Sequence, residues 1–136
     1  MRTTFSKRTE TVMSLAAEHA RRMKHDFVGT EHLLLGLLAE PSGEIAGLLR
    51  GLGAEPASVE AEIEKLVHHG AVALSINTLP FTPRATAAID LANHEATMLS
   101  QRLVEPGHLL LGLLFQSDGV AGMALQNLGL NRSKLT

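Results

Sequence analysis

The sequence contains no cysteine, no tryptophan and no tyrosine, and only four phenylalanines in 136 residues. Without cysteine there is no disulfide and no thiol nucleophile, which fits a reducing compartment. So few aromatic rings leave almost no platform on which single-stranded bases could stack. Basic excess is missing too: 12 Lys and Arg stand against 14 Asp and Glu, a formal net charge of −2. That balance provides no electrostatic footprint for nucleic acid or for an anionic membrane. No Gly-Lys pair occurs, so the phosphate-binding loop Gly-x-x-x-x-Gly-Lys-Ser/Thr is excluded. The seven histidines never fall at His-x-x-x-His or His-Glu-x-x-His spacing, which removes the usual zinc signatures. No apolar stretch approaches the ~20 residues that cross a bilayer. Met1-Arg2-Thr3-Thr4 opens no apolar leader. The expectation is a soluble, cytoplasmic protein without a metal or cofactor.

What is present is aliphatic and repeated. Hydrophobic residues make up 45 % of the chain, and a core of Leu, Ala, Val and Met suits helix packed on helix. Phe5-Ser6-Lys7-Arg8 returns 76 residues later as Phe81-Thr82-Pro83-Arg84, Leu15-Ala16 as Leu91-Ala92, and Ala20 as Ala96. His32 followed by Leu33-Leu34-Leu35-Gly36-Leu37-Leu38 returns as His108 followed by Leu109-Leu110-Leu111-Gly112-Leu113-Leu114. Between 5–40 and 81–116, 13 of 36 positions are identical, which marks a copied supersecondary unit.

Within the first copy, Ser6 caps a helix carrying Val12, Leu15, Ala16, Ala20 and Met23 at helical spacing and running to about Lys24. Phe27-Val28-Gly29 makes a turn. Thr30 is the expected N-cap of a second helix, with Glu31 favourably placed in its first turn. The run Leu33 to Leu38 is apolar on every side, so that helix must be buried all round. Gly36 inside it costs about 1 kcal/mol against Ala, and its return as Gly112 predicts a close approach by a neighbouring helix. Gly43 to Arg50 forms a third helix, and Pro56 opens a fourth from about Ala57 to His69. A linker follows, with extended character expected at Val72-Ala73-Leu74.

The second copy restarts with Thr82 as cap and Pro83 at the first helical position. Pro106 opens the second Leu helix, and Gly119 to Asn127 forms the next, one residue out of step with its counterpart. Asn131 caps an eighth helix, of which Thr136 is only the first turn. The predicted fold is all-α: a duplicated four-helix repeat forming a pseudo-twofold bundle of about eight short helices, the last truncated. One domain spans 1–136, with repeat one at 5–69, a linker at 70–80 and repeat two at 81–136. The abrupt ending suggests a piece of a longer protein, or a relative that lost its last helix.

The duplicated pattern Phe-Ser/Thr-x-Arg, amphipathic helix, and then Gly29-Thr30-Glu31-His32 before the Leu run resembles the N-terminal domain of Clp-type AAA+ unfoldases, closest to the ClpC group. The resemblance covers residues 5–135. It implies a non-catalytic domain, tethered above an ATPase ring, that receives unfolded or marked substrates and adaptor proteins for the Clp ATPase and protease machinery. The alternative is a free-standing accessory or decoy protein that tunes the protease.

Relatives in the ClpC group bind phosphorylated arginine, and the resemblance places the guanidinium contact at Glu31. Physically, a carboxylate pairs with guanidinium, and a capped helix N-terminus accepts phosphate. Ser6, with the amides after it and Arg8, is the expected phosphate end, and Thr30 and Thr82 complete the ligand-binding set. The second copy reads Glu105-Pro106-Gly107-His108, with Gly107 at the carboxylate position and Glu105 two residues earlier, so its pocket is expected to be lost or altered. Phe5 and Phe81 either staple the helix entries or present an apolar contact to a partner, with Arg84 beside the second. His32 and His108 are expected as hydrogen-bonded core residues. An enzymatic reading would join Glu31 to His32, but neighbours on a helix point about 100° apart.

Overall fold

Two hydroxyl caps start the two long helices. The computed structural model describes residues 3–70 and 79–130. In it Ser6 Oγ accepts the Thr9 amide at 3.2 Å and Thr82 Oγ1 accepts the Ala85 amide at 3.1 Å. Helix α1 (Lys7–Arg22) and α5 (Pro83–Met98) follow from these caps. Each buries a stripe of small side chains, Val12, Ala16 and Ala20 on one and Ala88, Ala92 and Ala96 on the other, all fully shielded. Removing a cap of this kind costs about 1 kcal/mol. Ser6→Ala is therefore expected to lower the unfolding free energy by that amount, read as a lower denaturation midpoint at an unchanged slope of unfolding.

The stripes of small residues receive the Leu helices α2 (Thr30–Ala39) and α6 (Pro106–Phe115). Gly36 and Gly112 lie at the contacts. A Cβ on Gly36 would sit 2.5 Å from the Val12 carbonyl oxygen, and one on Gly112 would overlap that of Ala88. The close approach predicted from the recurring glycine is what the helices make. Shorter helices α3 (Glu44–Gly51), α4 (Pro56–Leu66) and α7 (Val120–Asn127) close the bundle. Leu33, Leu34, Leu37, Leu109 and Leu113 belong to a single core shared by both halves. No single helix among the described residues is long and apolar enough to cross a membrane.

Two short parallel pairings cross between the halves. Strand β1 (Thr4–Phe5) pairs with β2 (Leu103–Val104), Phe5 opposite Val104. Val28 pairs with Phe81 in an isolated bridge, its amide donating to Pro80 O at 2.8 Å and its carbonyl accepting from Thr82 N at 3.0 Å. Phe81 is the repeat counterpart of Phe5 and Val104 that of Val28, so exchanging the halves turns one pairing into the other. Each half thus pairs its entry with the segment preceding the Leu helix of its twin. Helical periodicity carries no sign of these strands.

Three expectations are corrected. Thr30 does not cap its own helix; Gly29 is the N-cap. The buried His32 ring turns back to accept the Gly29 amide at 2.8 Å, and the His32 and Leu33 amides donate to Gly29 O at 3.1 and 3.2 Å, so the Thr30 hydroxyl is not used by α2. It accepts instead from Ala121 N at 3.2 Å and so caps α7, 91 residues away. Helix α4 stops at Leu66, short of His69, because the chain beyond it is drawn to the end of α1: Gly70 N donates to Met23 O at 2.9 Å, and the His25 ring bonds the His68 carbonyl at 2.6 Å. Helix α1 ends at Arg22 with Met23 as its C-cap, and Lys24 adopts a left-handed φ of 58°. The extended segment expected at 72–74 and the eighth helix expected from Asn131 lie outside the described residues.

Candidate functional site

Glu31 occupies the second position of α2, nearly buried at 6 % exposure. It borders a cavity of about 580 Å³ whose other walls include Phe27, Thr82, Arg84, Asp118 and Gly119. The start of α2, the start of α5 and the α6–α7 turn converge there. The Glu31 carboxylate folds back over Gly29, into the space where a Cβ at that position would lie. Burial pushes its carboxyl above the usual carboxylate range, opposed in part by its own backbone amide and by His25. Across the cavity, the Arg84 guanidinium lies 3.8 Å from Asp118, both largely exposed. So loose a pair contributes little and leaves the guanidinium able to turn to a ligand. The cavity therefore combines a desolvated acid with a cation beside a capped helix N-terminus, where anions are favoured.

A second concavity, of about 520 Å³, follows the seam between α1 and α5. Phe5, Met13 and Glu10 line it from one half, and Phe81, Ile89 and Thr86 stand at the matching positions of the other. Phe81 is 44 % exposed.

Beneath Glu31 runs a chain of hydrogen bonds. Gly29 N–H donates to His32 Nδ1, His32 Nε2 meets His25 Nδ1 at 2.8 Å, and His25 Nε2 meets the His68 carbonyl. Glu31, His25 and His32 bring potential ligand atoms within 4.8 Å of one another. The bonding order does not suit a metal. His32 Nδ1 must be unprotonated to accept the Gly29 amide, so Nε2 carries the proton, whereas a metal-bound imidazole donates from its other nitrogen. His32 is fully buried with both nitrogens engaged, which removes it as a base for anything bound in the cavity.

A family model for the Clp repeat (R) N-terminal domain matches residues 4–128. The chain belongs to this family. It is 41 % identical over 131 residues to the ATP-dependent Clp protease ATP-binding subunit ClpA homolog of Cyanidium caldarium, covering 96 % of this chain and 15 % of that protein. It is 41 % identical over 125 residues to the chloroplastic chaperone protein ClpC of Pisum sativum, covering 92 % of this chain and 13 % of the relative. The chain thus spans about one-seventh of these proteins. Among solved structures, the N-terminal domain of the ClpD chaperone from Arabidopsis thaliana superposes with a TM-score of 0.74 at 26 % identity, over 97 % of this chain and 89 % of that one. The Hsp104 N-terminal domain of Candida albicans shares the fold, with a TM-score of 0.80 at 17 % identity over 96 % and 85 % of the two chains.

In this Clp N-terminal domain the candidate residues are sorted by the exchange between halves. Glu31 shares its cavity with Thr82 and Arg84, not with Ser6 and Arg8 as the order along the chain suggested. Ser6 N donates to Val104 O at 3.1 Å, and Arg8 pairs with Glu44 at 2.9 Å. Ser6 therefore faces the second half, whereas Arg8 is held by an acid of its own half. Thr30 contributes to the wall and fixes α7, while Phe5 and Phe81 meet in one groove rather than standing apart.

Glu105 is the N-cap of α6, and its amide donates to His108 Nδ1 at 2.9 Å, as Gly29 does to His32. In the first half Gly precedes Glu by two positions; in the second Glu105 precedes Gly107. Because the Glu31 carboxylate fills the space of a side chain at position 29, a carboxylate rooted at Glu105 starts from the equivalent space. The altered motif thus moves the acid's root without removing an acid from that end. Phe27, Asp118 and Gly119 were missed as site residues. Only the 76-residue offset applied across the halves, rather than within one, could have pointed to the α6–α7 turn.

Proposed function

We propose that this Clp N-terminal domain is a docking module that receives substrates or adaptor proteins for a Clp ATPase and its protease, and that the Glu31 cavity takes a phosphorylated arginine side chain. The observation that carries the reading is the near-buried carboxylate facing an open cavity whose opposite wall is a capped helix start bearing Arg84. A phosphoarginine presents both charges this arrangement complements: guanidinium nitrogens for Glu31, and phosphate oxygens for the α5 start and Arg84. Unmodified arginine satisfies only the first. The groove between Phe5 and Phe81 offers an apolar surface for the protein that carries the mark, and the chain's net charge of −2 makes nucleic acid or anionic membrane an unfavourable partner.

Calorimetric titration of the chain with phosphoarginine and with arginine tests this. Phosphoarginine is expected to bind at least about tenfold more tightly, the worth of one charge-assisted hydrogen bond or more. Equal binding of the two, or none of either, overturns the reading.

A further inference from the structure

The histidine chain beneath Glu31 has a direction, and the direction makes it sensitive to one proton. His68 offers only a carbonyl, so His25 Nε2 is the donor there. His25 Nδ1 is consequently the acceptor in the 2.8 Å bond to His32, and His32 Nε2 the donor. Gly29 N–H, necessarily a donor, completes the sequence at His32 Nδ1. Each ring uses both nitrogens, and only one pair of tautomers satisfies all three bonds.

We propose that the His25–His32 pair is a proton-sensitive lock: one added proton breaks the chain and loosens the start of α2 on which Glu31 sits. With both its nitrogens protonated, His25 requires an acceptor at His32 Nε2. His32 can comply only by moving its own proton to Nδ1, where it confronts the Gly29 N–H. One of the two bonds must open. Burial, with the nearby charges of His25 and His19, lowers His32 to about 3, and a second proton on that ring would itself confront the Gly29 N–H at Nδ1. The groups around the pair are His19 on α1, Glu31 on α2, and His69 beyond α4, whose ring centroid lies 6.4 Å from that of His25 and which pairs with Glu64. Lys24 and Asp26 flank His25 in the chain. The consequences reach the cavity, because Phe27, one of its walls, stacks on the His25 ring at 4.9 Å.

The second half is a built-in control. His108 accepts the Glu105 amide in the same way, but Gln101 stands where the first half has His25. The test is amide hydrogen exchange read by NMR between about pH 7.5 and 5, the span in which histidine ordinarily titrates, corrected for intrinsic exchange. Protection at Gly29 is expected to fall at least about tenfold relative to Glu105, the equivalent of one pKa unit of coupling. In His25→Gln, which copies the second half, that difference should vanish. Imidazole nitrogen shifts of the unmutated chain provide a reading that needs no variant: at neutral pH both rings should carry the proton on Nε2. Parallel behaviour of the Gly29 and Glu105 amides, or a proton on Nδ1 of either ring, overturns the proposal.

Discussion

Replacing Gly112 by Ala is expected to destabilise the domain by about 2 kcal/mol, although Ala is the better helix former. The two effects oppose each other and their sizes decide. Gly-to-Ala in a helix interior gains about 1 kcal/mol. The new Cβ, however, falls inside the van der Waals envelope of the Ala88 carbonyl, a backbone atom of α5 that no side-chain rotation can move. Forcing two packed helices apart by such a contact costs about 3 kcal/mol. The net loss corresponds to a melting temperature lower by about 6–8 °C for a domain of this size. Gly36→Ala should behave alike, since its Cβ would meet Val12 O at 2.5 Å. Gly107→Ala provides the opposite sign: nothing lies within 4 Å of a Cβ there, so the change should be neutral or stabilise by up to about 1 kcal/mol. Thermal melts of the three variants check the argument; a stabilised Gly112→Ala would refute the close-packing explanation of both Leu helices.

Glu31→Gln is expected to weaken phosphoarginine binding between about 10- and 100-fold, the loss of a charge-assisted pairing, while making the folded domain more stable at neutral pH. The stability sign follows from burial, which raises the folded-state pKa of this carboxyl above its ordinary value of 4.5. Between the two values the native chain holds the proton that the unfolded chain has released, so stability falls as pH rises through the folded pKa. Near neutrality the ionised group is a net cost that Gln does not carry, and Gln can still accept the backbone amide at its own position. Below the unfolded value both side chains are neutral and the gain should disappear. Paired melts at neutral and acid pH, beside the titrations, separate the outcomes. A variant that binds as before would remove Glu31 from the site. One that loses binding and also melts lower at neutral pH would mean that the carboxylate holds the fold together instead.

The parts of this molecule legible in the sequence are those set by local chemistry. Ser6 and Thr82 as caps, the small-residue stripes and the glycines at helix contacts follow from spacing and from what each side chain can donate, accept or clear. Glu31 stood out for the same reason, as an acid in a helix first turn within a motif resembling a known one. Thr30 misled because a hydroxyl just ahead of an apolar run reads as a cap wherever the helix begins; here it begins one residue earlier, and the His32 and Leu33 amides go to the Gly29 carbonyl. The end of α4 was misplaced because the contacts that stop it, from Met23 and His25, lie more than 40 residues away in sequence.

The sequence by itself determined two matching halves of short helices with buried Leu runs. Only the tertiary structure decided how the halves share their parts. Duplicated segments have nearly the same propensity to pair with their own half or with its twin, so nothing local distinguishes the two arrangements. The choice is made by satisfying exposed backbone amides and carbonyls at each entry while one Leu core closes around both copies. That exchange brings Thr82 and Arg84 to Glu31 and ties Ser6 to Val104, while Arg8 pairs with Glu44 of its own half. The cavity is therefore built from segments about 50 to 90 positions apart, a distance over which side-chain periodicity carries no information.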